Sequence, residues 1–545
     1  MKKTTHGAAY LSMLITAAGT SGSRLLGLVR DQLIAGFFGT GGFAAAFIIA
    51  FQIPNLFRRL LGEGALTSAL MPVMTQERRL GGNARAFAFF NLVISRVAPW
   101  MFAITALFCA GALAVAFLPE SWLAAAADVA GADGDVSRHR LAAKLTALCM
   151  PYMPMICIAA VFTAGLNMLG KFTVTALSAV WLNLSMIFSL GVLGWIFGET
   201  QTERVVWLCA GALLGGALQL GVPALALRRE GWRFSVNRSR TEAWEDLKAM
   251  FLPAVVGAGI NQINIFFTRF LAFTLDERAL SVYYYANRVV EIPVGIFTVT
   301  VTTVVFPLLA KYAAERDSRE LGATFAYGMR LIYAINVPAT VGIVALSFPL
   351  IRIFFEHGNF TAEDTLATVP VLWVFALAVP FYAVSGLVGR ALNSLKDTKT
   401  QTKTAGLAFG LNCALAPTLG WMFGAVGLAC ANLISAAAQC VVLYAVLLRR
   451  ERAFGAERVS GAFFKTLAAS LAMGAFTFGA WILVHEKLFG GNAFGENLTV
   501  VVSLLVVVPA SVALYFALLK IFRYPECDEL LALLLRRGRA RARRP

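Results

Sequence analysis

The chain has 545 residues, of which 59% are hydrophobic and 14% charged, and it carries a formal net charge of +17. Soluble domains carry about 25% charged residues, so composition excludes a soluble globular protein and indicates a polytopic membrane protein. The positive balance does not read as a nucleic-acid footprint, because Lys and Arg gather in alternate loops, the positive-inside pattern.

Apolar runs long enough to cross a bilayer, about 20 residues as helix, lie near 8–36, 41–61, 86–118, 141–169, 173–197 and 204–227. A basic, Trp-containing loop follows. Further runs lie near 247–275, 280–308, 321–350, 366–394, 401–423, 425–448, 461–484 and 498–522. Basic loops (Lys2–Lys3, Arg78–Arg79–Arg85, Lys171, Arg228 to Arg240, Lys311–Arg319, Lys396–Lys403, Arg449–Arg458) alternate with loops that are acidic or poor in Lys and Arg (Asp128–Asp135, Glu199–Glu203, Asp276–Glu277, Glu356–Asp364, Glu486–Glu496). The alternation closes with about fourteen spans and both termini cytoplasmic. Lys2–Lys3 and the apolar run after them resemble a signal peptide, but the helical pattern runs on past Gly19 to Phe38, so an uncleaved first span is expected.

The all-α chain is expected to divide into an N-terminal six-helix lobe (1–229), a cytoplasmic linker (230–246), a C-terminal six-helix lobe (247–450), two additional helices (451–523) and a basic tail (524–545). The stretch "AGLNMLGKFTVTA" (Ala164–Ala176) resembles "RALNSLKDTKTQT" (Arg390–Thr402), and each is followed by Leu-Asn in the next span, Leu182–Asn183 and Leu411–Asn412. Pro54 and Pro72 have counterparts in Pro293 and Pro307. The paired elements share ordinal position and orientation, which is a parallel repeat of the kind alternating-access transporters use. The last two spans have no counterpart and are nearly free of charge, so they are expected to form an apolar groove.

Catalysis has little to stand on. The eight cysteines lack CxxC spacing, the four histidines are scattered, and no hydrolase, zinc or phosphate-loop motif is present. No metal site and no cofactor are expected, and transport becomes the default class.

What remains is a set of arginines inside apolar runs: Arg24, Arg30, Arg58, Arg59, Arg96, Arg269, Arg288, Arg330 and Arg390. Charges at such positions are costly and face polar interiors. Arg59, Arg96, Arg330 and Arg390 lie toward cytoplasmic helix ends and read as anchors whose charge snorkels to water. Arg24 shares a helical face with Asp31, with Arg30 about 100° aside. Arg58 precedes Gly62–Glu63–Gly64, a hinge-like stretch, and Arg288 pairs in sequence with Glu291 at i+3. Arg24, Arg30, Arg58 and Arg288 outnumber Asp31, Glu63 and Glu291, which leaves a cationic interior suited to phosphate. A cation or proton pump would need the opposite sign.

At this point the residues become recognisable. "SRLLGLVRD", "AFQIPNLFRRLLGEGAL", "YYYANRVVEIPVG", "HGNFTAEDT" and "LKDTKTQTK" resemble signature stretches of the MurJ (MviN) lipid II flippases, within the multidrug/oligosaccharidyl-lipid/polysaccharide exporter superfamily. The resemblance implies two six-helix lobes around a central cationic cavity, with two further helices forming a groove for an isoprenoid tail. It assigns Arg24, Arg30, Arg58 and Arg288 to the substrate diphosphate, with Asp31 and Glu63 as acidic partners. It departs at Ala45 and Gln52, where relatives often have Asp and Lys, and at Gln401 and Asn287. The carboxylates with which some relatives hold sodium are missing from the seventh and eleventh spans, so no sodium site is expected.

The reading is a bacterial inner-membrane flippase for lipid II, not an enzyme, acting as a monomer among membrane lipids, with other cell-wall synthesis proteins as potential partners. The alternatives are a flippase for another polyprenyl-diphosphate-linked glycan and, from a different class, a non-transporting membrane scaffold.

Overall fold

The computed structural model describes residues 19, 22–60, 66–122, 136–293, 299–457, 459–484 and 496–535. Every regular element among the described residues is helical. In chain order they are α1 (22–38), α2 (Gly42–Phe57), α3 (Leu66–Phe117), α4 (Val136–Cys149), α5 (Tyr152–Met168), α6 (Ser178–Phe188), α7 (Gln201–Arg229), α8 (Glu242–Leu275) and α9 (Ala279–Pro293). There follow α10 (Val299–Glu315), α11 (Ser318–Ala345), α12 (Ser347–Phe355), α13 (Ala362–Ser394), α14 (Thr398–Arg450), α15 (Ser460–Ile482), α16 (Glu496–Ile521) and α17 (Cys527–Leu535).

Ten helices among the described residues are long and apolar enough to cross a membrane, or up to eleven when the bent pair Glu242–Val255 and Gly259–Leu275 is one span. The 53-residue α14 enters that count once, although its backbone leaves the helical region at Gly424 (φ +58). The expected first and eighth spans both include residues outside the described set. The observed helices are therefore consistent with fourteen spans.

Local chemistry explains several helix starts. Thr200 and Glu203 form a reciprocal capping box at the head of α7. Asp317 accepts from the Glu320 amide at α11, and Asp397 from the Thr400 amide at α14. The Thr400 hydroxyl also donates to Asp397 at 2.6 Å, as does Arg450 Nη1 from the far end of the same element. The "LKDTKT" stretch is thus a helix cap bearing an ion pair.

The chain packs as two compact units, Met1–Tyr283 with Glu356–Asp364 and Ala416–Leu428, and Tyr284–Phe355 with Thr365–Leu415 and Ala429–Pro545. In the first, Phe90 of α3 and Phe162 of α5 meet the Trp232 indole edge-on at 5.6 and 5.1 Å. In the second, Phe325 and Ile332 of α11 pack with Leu387 of α13, Leu443 of α14 and Leu519 of α16. Lipid tails are as apolar as these side chains, so polar bonds between helices add specificity that burial alone does not supply. Thr477 of α15 donates to Ser511 of α16 at 2.8 Å, and Tyr515 Oη donates to the Ala334 carbonyl of α11 at 2.9 Å. These bonds seat α15 and α16 against α11. An apolar depression of about 730 Å³ lies between α13 and α14, lined by Leu377, Phe381, Ile434 and Val441.

Candidate functional site

Arg30 lies on α1 and is half-buried. Its Nε and Nη2 donate to Asp31 Oδ1 at 3.0 and 2.7 Å, and its Nη1 donates to Asn183 Oδ1 on α6 at 3.2 Å. The Asn183 amide in turn donates to the Ser23 carbonyl at 2.9 Å. Asn183 thereby ties the guanidinium to the start of α1. Helical geometry alone puts Asp31 on the face of Arg24, but the carboxylate pairs with Arg30. Neighbouring side chains on a helix do not face each other, yet the long arginine stem folds back over the buried aspartate. Arg24 is exposed and has no hydrogen-bond or ion-pair partner among the described residues.

On α2, Pro54 removes one backbone donor, and the helix ends in a wide turn of π type over Arg58–Leu60. Such turns recur at functional sites. Asn55 Oδ1 accepts from Arg58 Nε at 2.7 Å, which fixes the half-buried guanidinium one turn above it. Glu63 lies outside the described residues.

Sequence reasoning noted Arg269 but left it out of the site. It is 9% exposed in α8, and its Nη1 donates to Gln52 Oε1 of α2, itself 3% exposed. A lysine at position 52 would put a second cation against Arg269, whereas the glutamine amide oxygen accepts from it. The available signal was an arginine in the middle of the run "INIFFTRFLAFTL". Its partner, 217 residues away, carried none.

In the second unit, Arg288 of α9 donates to Glu291 Oε2 at 2.9 Å, and the Asn287 amide donates to Glu291 Oε1 at 2.9 Å. Glu291 is thus held by two neighbours on its own helix.

The "HGNFTAED" stretch makes a corner within the first unit. The Asn359 amide nitrogen donates to the Gly36 carbonyl at 2.8 Å, and its side chain to the Phe37 carbonyl at 2.6 Å. Thr40 Oγ1 donates to buried Asp364 at 2.5 Å. Gly39 and Gly358 both have positive φ, and a Cβ on Gly358 would stand 2.3 Å from the Gly36 carbonyl oxygen. No other residue fits there. Nearby, Arg278 donates to Glu363 at 2.7 Å, and this bond raises the arginine's pKa above its ordinary value.

Taken together, Arg30, Arg58 and Arg269 each have an amide oxygen among their partners, from Asn183, Asn55 and Gln52, and Arg30 has the Asp31 carboxylate as well. An amide oxygen orients a guanidinium without itself adding a charge.

Residues 34–514 match the family described as lipid II flippase MurJ. A probable lipid II flippase MurJ of Haemophilus influenzae is 31% identical over 474 residues, covering 85% of this chain and 90% of the relative. That of Vibrio cholerae serotype O1 is 30% identical over 455 residues, covering 79% and 82%. Among solved structures, a lipid II flippase MurJ in an inward closed conformation superposes with TM-score 0.74 at 24% identity, covering 95% of this chain and all of that one. An inward-facing multidrug resistance MATE family transporter of the MOP superfamily gives 0.62 at 16% identity, covering 79% and 95%. These two likenesses are of fold. With a family match over most of its length and relatives at about 30% identity, the chain belongs to the MurJ lipid II flippase family.

Proposed function

We propose that this protein is a lipid II flippase of the bacterial inner membrane. It carries the undecaprenyl-diphosphate-linked disaccharide-peptide from the inner to the outer leaflet by alternating access, with both termini and the basic loops in the cytoplasm. Arg24, Arg30, Arg58 and Arg288 engage the diphosphate, Asp31, Glu63 and Glu291 act as charge partners, and the lipid tail stays in the bilayer. The proposal keeps the repeat lobes 1–229 and 247–450, with 451–523 as the tail-binding addition.

The observation that carries the reading is the presence of arginines in apolar spans, Arg30 and Arg58 among them, each oriented in part by an amide oxygen. A scaffold would gain nothing from such charge in an apolar helix, where it is costly. The same arginines favour a phosphorylated load over a cation, and the names of the relatives favour lipid II over other lipid-linked glycans.

The test is complementation of a strain depleted of its own lipid II flippase, with lipid II exposure at the outer leaflet measured in the same cells. Growth with restored exposure is expected. Normal membrane abundance with neither growth nor exposure would overturn the lipid II reading. Rescue only of a strain lacking a different lipid-linked glycan flippase would establish the alternative.

A further inference from the structure

A cavity of about 660 Å³ in the first unit has no part in the site described above. Buried Leu66, Met101, Cys157 and Leu247 form its inner wall, and exposed Trp100, Arg238 and Lys248 lie on its open side. The segment after α7, residues 230–240, has no helical turns beyond Gly231, yet it is strapped along α3. Trp232 Nε1 donates to Asn91 Oδ1 at 2.8 Å, and the Asn91 amide donates to the Arg233 carbonyl at 2.9 Å. The Asn237 amide nitrogen donates to Ser95 Oγ at 3.1 Å. Arg96 Nη2 closes the strap by donating to the Arg238 and Ser239 carbonyls at 3.1 and 2.8 Å.

The strap has a chemical consequence. Every one of these bonds uses backbone or uncharged groups of the segment, so the Arg238 guanidinium is left with no partner among the described residues. The Arg96 guanidinium lies 4.7 Å from the centre of the Trp244 ring, and its Nε and Nη1 have no acceptor among the described residues. Lys248 shares one carboxylate, Glu245, at 2.7 Å. The cavity therefore joins an apolar wall to three cations and one anion. Trp100, exposed on the apolar span Ala69–Phe117, is of the residue type enriched at headgroup boundaries.

We propose that this cavity binds an anionic phospholipid. Arg96, Arg238 and Lys248 take the phosphodiester, Trp100 and Trp244 sit at the headgroup–acyl boundary, and the apolar wall takes the first acyl segment. Basic pockets between membrane helices suit such headgroups. A soluble phosphate would leave the apolar wall unused, which favours the lipid. The orientation proposed above puts this cavity at the inner leaflet; the proposed binding does not depend on it.

The purified full chain in zwitterionic detergent is titrated with phosphatidylglycerol while thermal unfolding is followed. Phosphatidylcholine of the same chains and inorganic phosphate serve as controls. Phosphatidylglycerol is expected to raise the unfolding midpoint, and the two controls are not. Removing both exposed cations, as R238Q with K248Q, is expected to weaken phosphatidylglycerol binding about 25-fold, roughly fivefold for each charge near the headgroup. R238K keeps the charge and is expected to bind as the native chain does. Equal shifts with phosphatidylcholine, full mimicry by inorganic phosphate, or unchanged affinity in the double variant would each overturn the proposal. Because the readout is lipid binding, failure here leaves the flippase reading standing, and failed complementation leaves this one standing.

Discussion

Arginines inside the spans and arginines at the helix ends are held differently. Arg58 and Arg269 receive amide oxygens, and Arg30 receives an amide beside its one carboxylate. At the ends, Arg278 is bound by Glu363 and Arg450 by Asp397 at 2.6 Å, and Arg330, midway along α11, is likewise bound by carboxylates, Glu457 at 2.9 Å and Glu526. Where the charge serves structure it is cancelled by an opposite charge. Where it belongs to the candidate site, a neutral amide oxygen is among the groups that orient it. Arg288 with Glu291 is the intermediate case, and its partner is about half-exposed.

The strongest way to break this contrast is to remove a span charge. Arg58→Gln is expected to abolish growth rescue while membrane abundance stays normal. Each charge-assisted hydrogen bond contributes roughly 1.5–3 kcal/mol, so losing a two-pronged contact weakens binding about a hundredfold or more. Normal growth would make Arg58 structural, like the arginines at the ends.

A sharper probe keeps shape and changes charge. Asn55→Asp and Asn183→Asp replace the orienting amide with a carboxylate of the same outline. Each is expected to lower the rate of lipid II exposure about tenfold, the equivalent of some 1.4 kcal/mol, with no loss of thermal stability. An unchanged rate would mean that the neutrality of these partners is incidental.

The arginines bound by carboxylates away from the site should answer in stability rather than transport. Sequence alone reads Arg330 as a tolerated anchor, but it bridges α17's approach segment at Glu526 and the turn at Glu457, and Tyr524 Oη donates to its carbonyl at 2.7 Å. Arg330→Ala is expected to cost about 1–2 kcal/mol, because Glu526 is buried and loses its cation. A thermal midpoint equal to that of the native chain would restore the anchor reading.

The smallest effect is a pH dependence. The Thr400 hydroxyl, then the Thr400 amide and Arg450, hold the Asp397 carboxyl below the usual carboxylate range. A depressed folded-state pKa gives stability that is present above the unfolded value near 3.9 and is lost as pH falls through the folded value. The difference in thermal midpoint between the native chain and Asp397→Asn should therefore be constant near neutrality and shrink below about pH 4. A difference that persists in acid would trace the stabilisation to cap geometry instead of charge.

Span placement, family and most of the charged residues were legible in the sequence, because hydropathy, the alternation of basic loops and local motifs are properties of neighbouring residues. The pairings were not. Arg30 with Asn183 and Arg269 with Gln52 join residues 153 and 217 positions apart. Nothing in a one-dimensional pattern distinguishes Asn183, half of a repeated Leu-Asn pair, from an amide that merely packs. The same holds for the corner at Gly36 and Gly358. "HGNF" reads as a turn, but the carbonyl that forbids a Cβ there belongs to a helix more than three hundred residues earlier.

The break at Gly424 bears on how the chain reaches the membrane during synthesis. A continuous helix of 53 residues would be about 80 Å long, far more than the roughly 30 Å of a bilayer's apolar core. Instead the chain doubles back. A Cβ on Gly427 would stand 1.8 Å from the Leu419 carbonyl, and one on Gly420 would meet the Leu428 side chain at 2.8 Å. The tip between them is apolar and open, with Trp421 80% exposed and Met422 and Phe423 close to 60%. Such a tip offers no polar loop to draw into water on the far side. Two limbs joined by so short and apolar a turn suit insertion as one unit, which a glycosylation or cysteine-accessibility map of residues 421–426 would test.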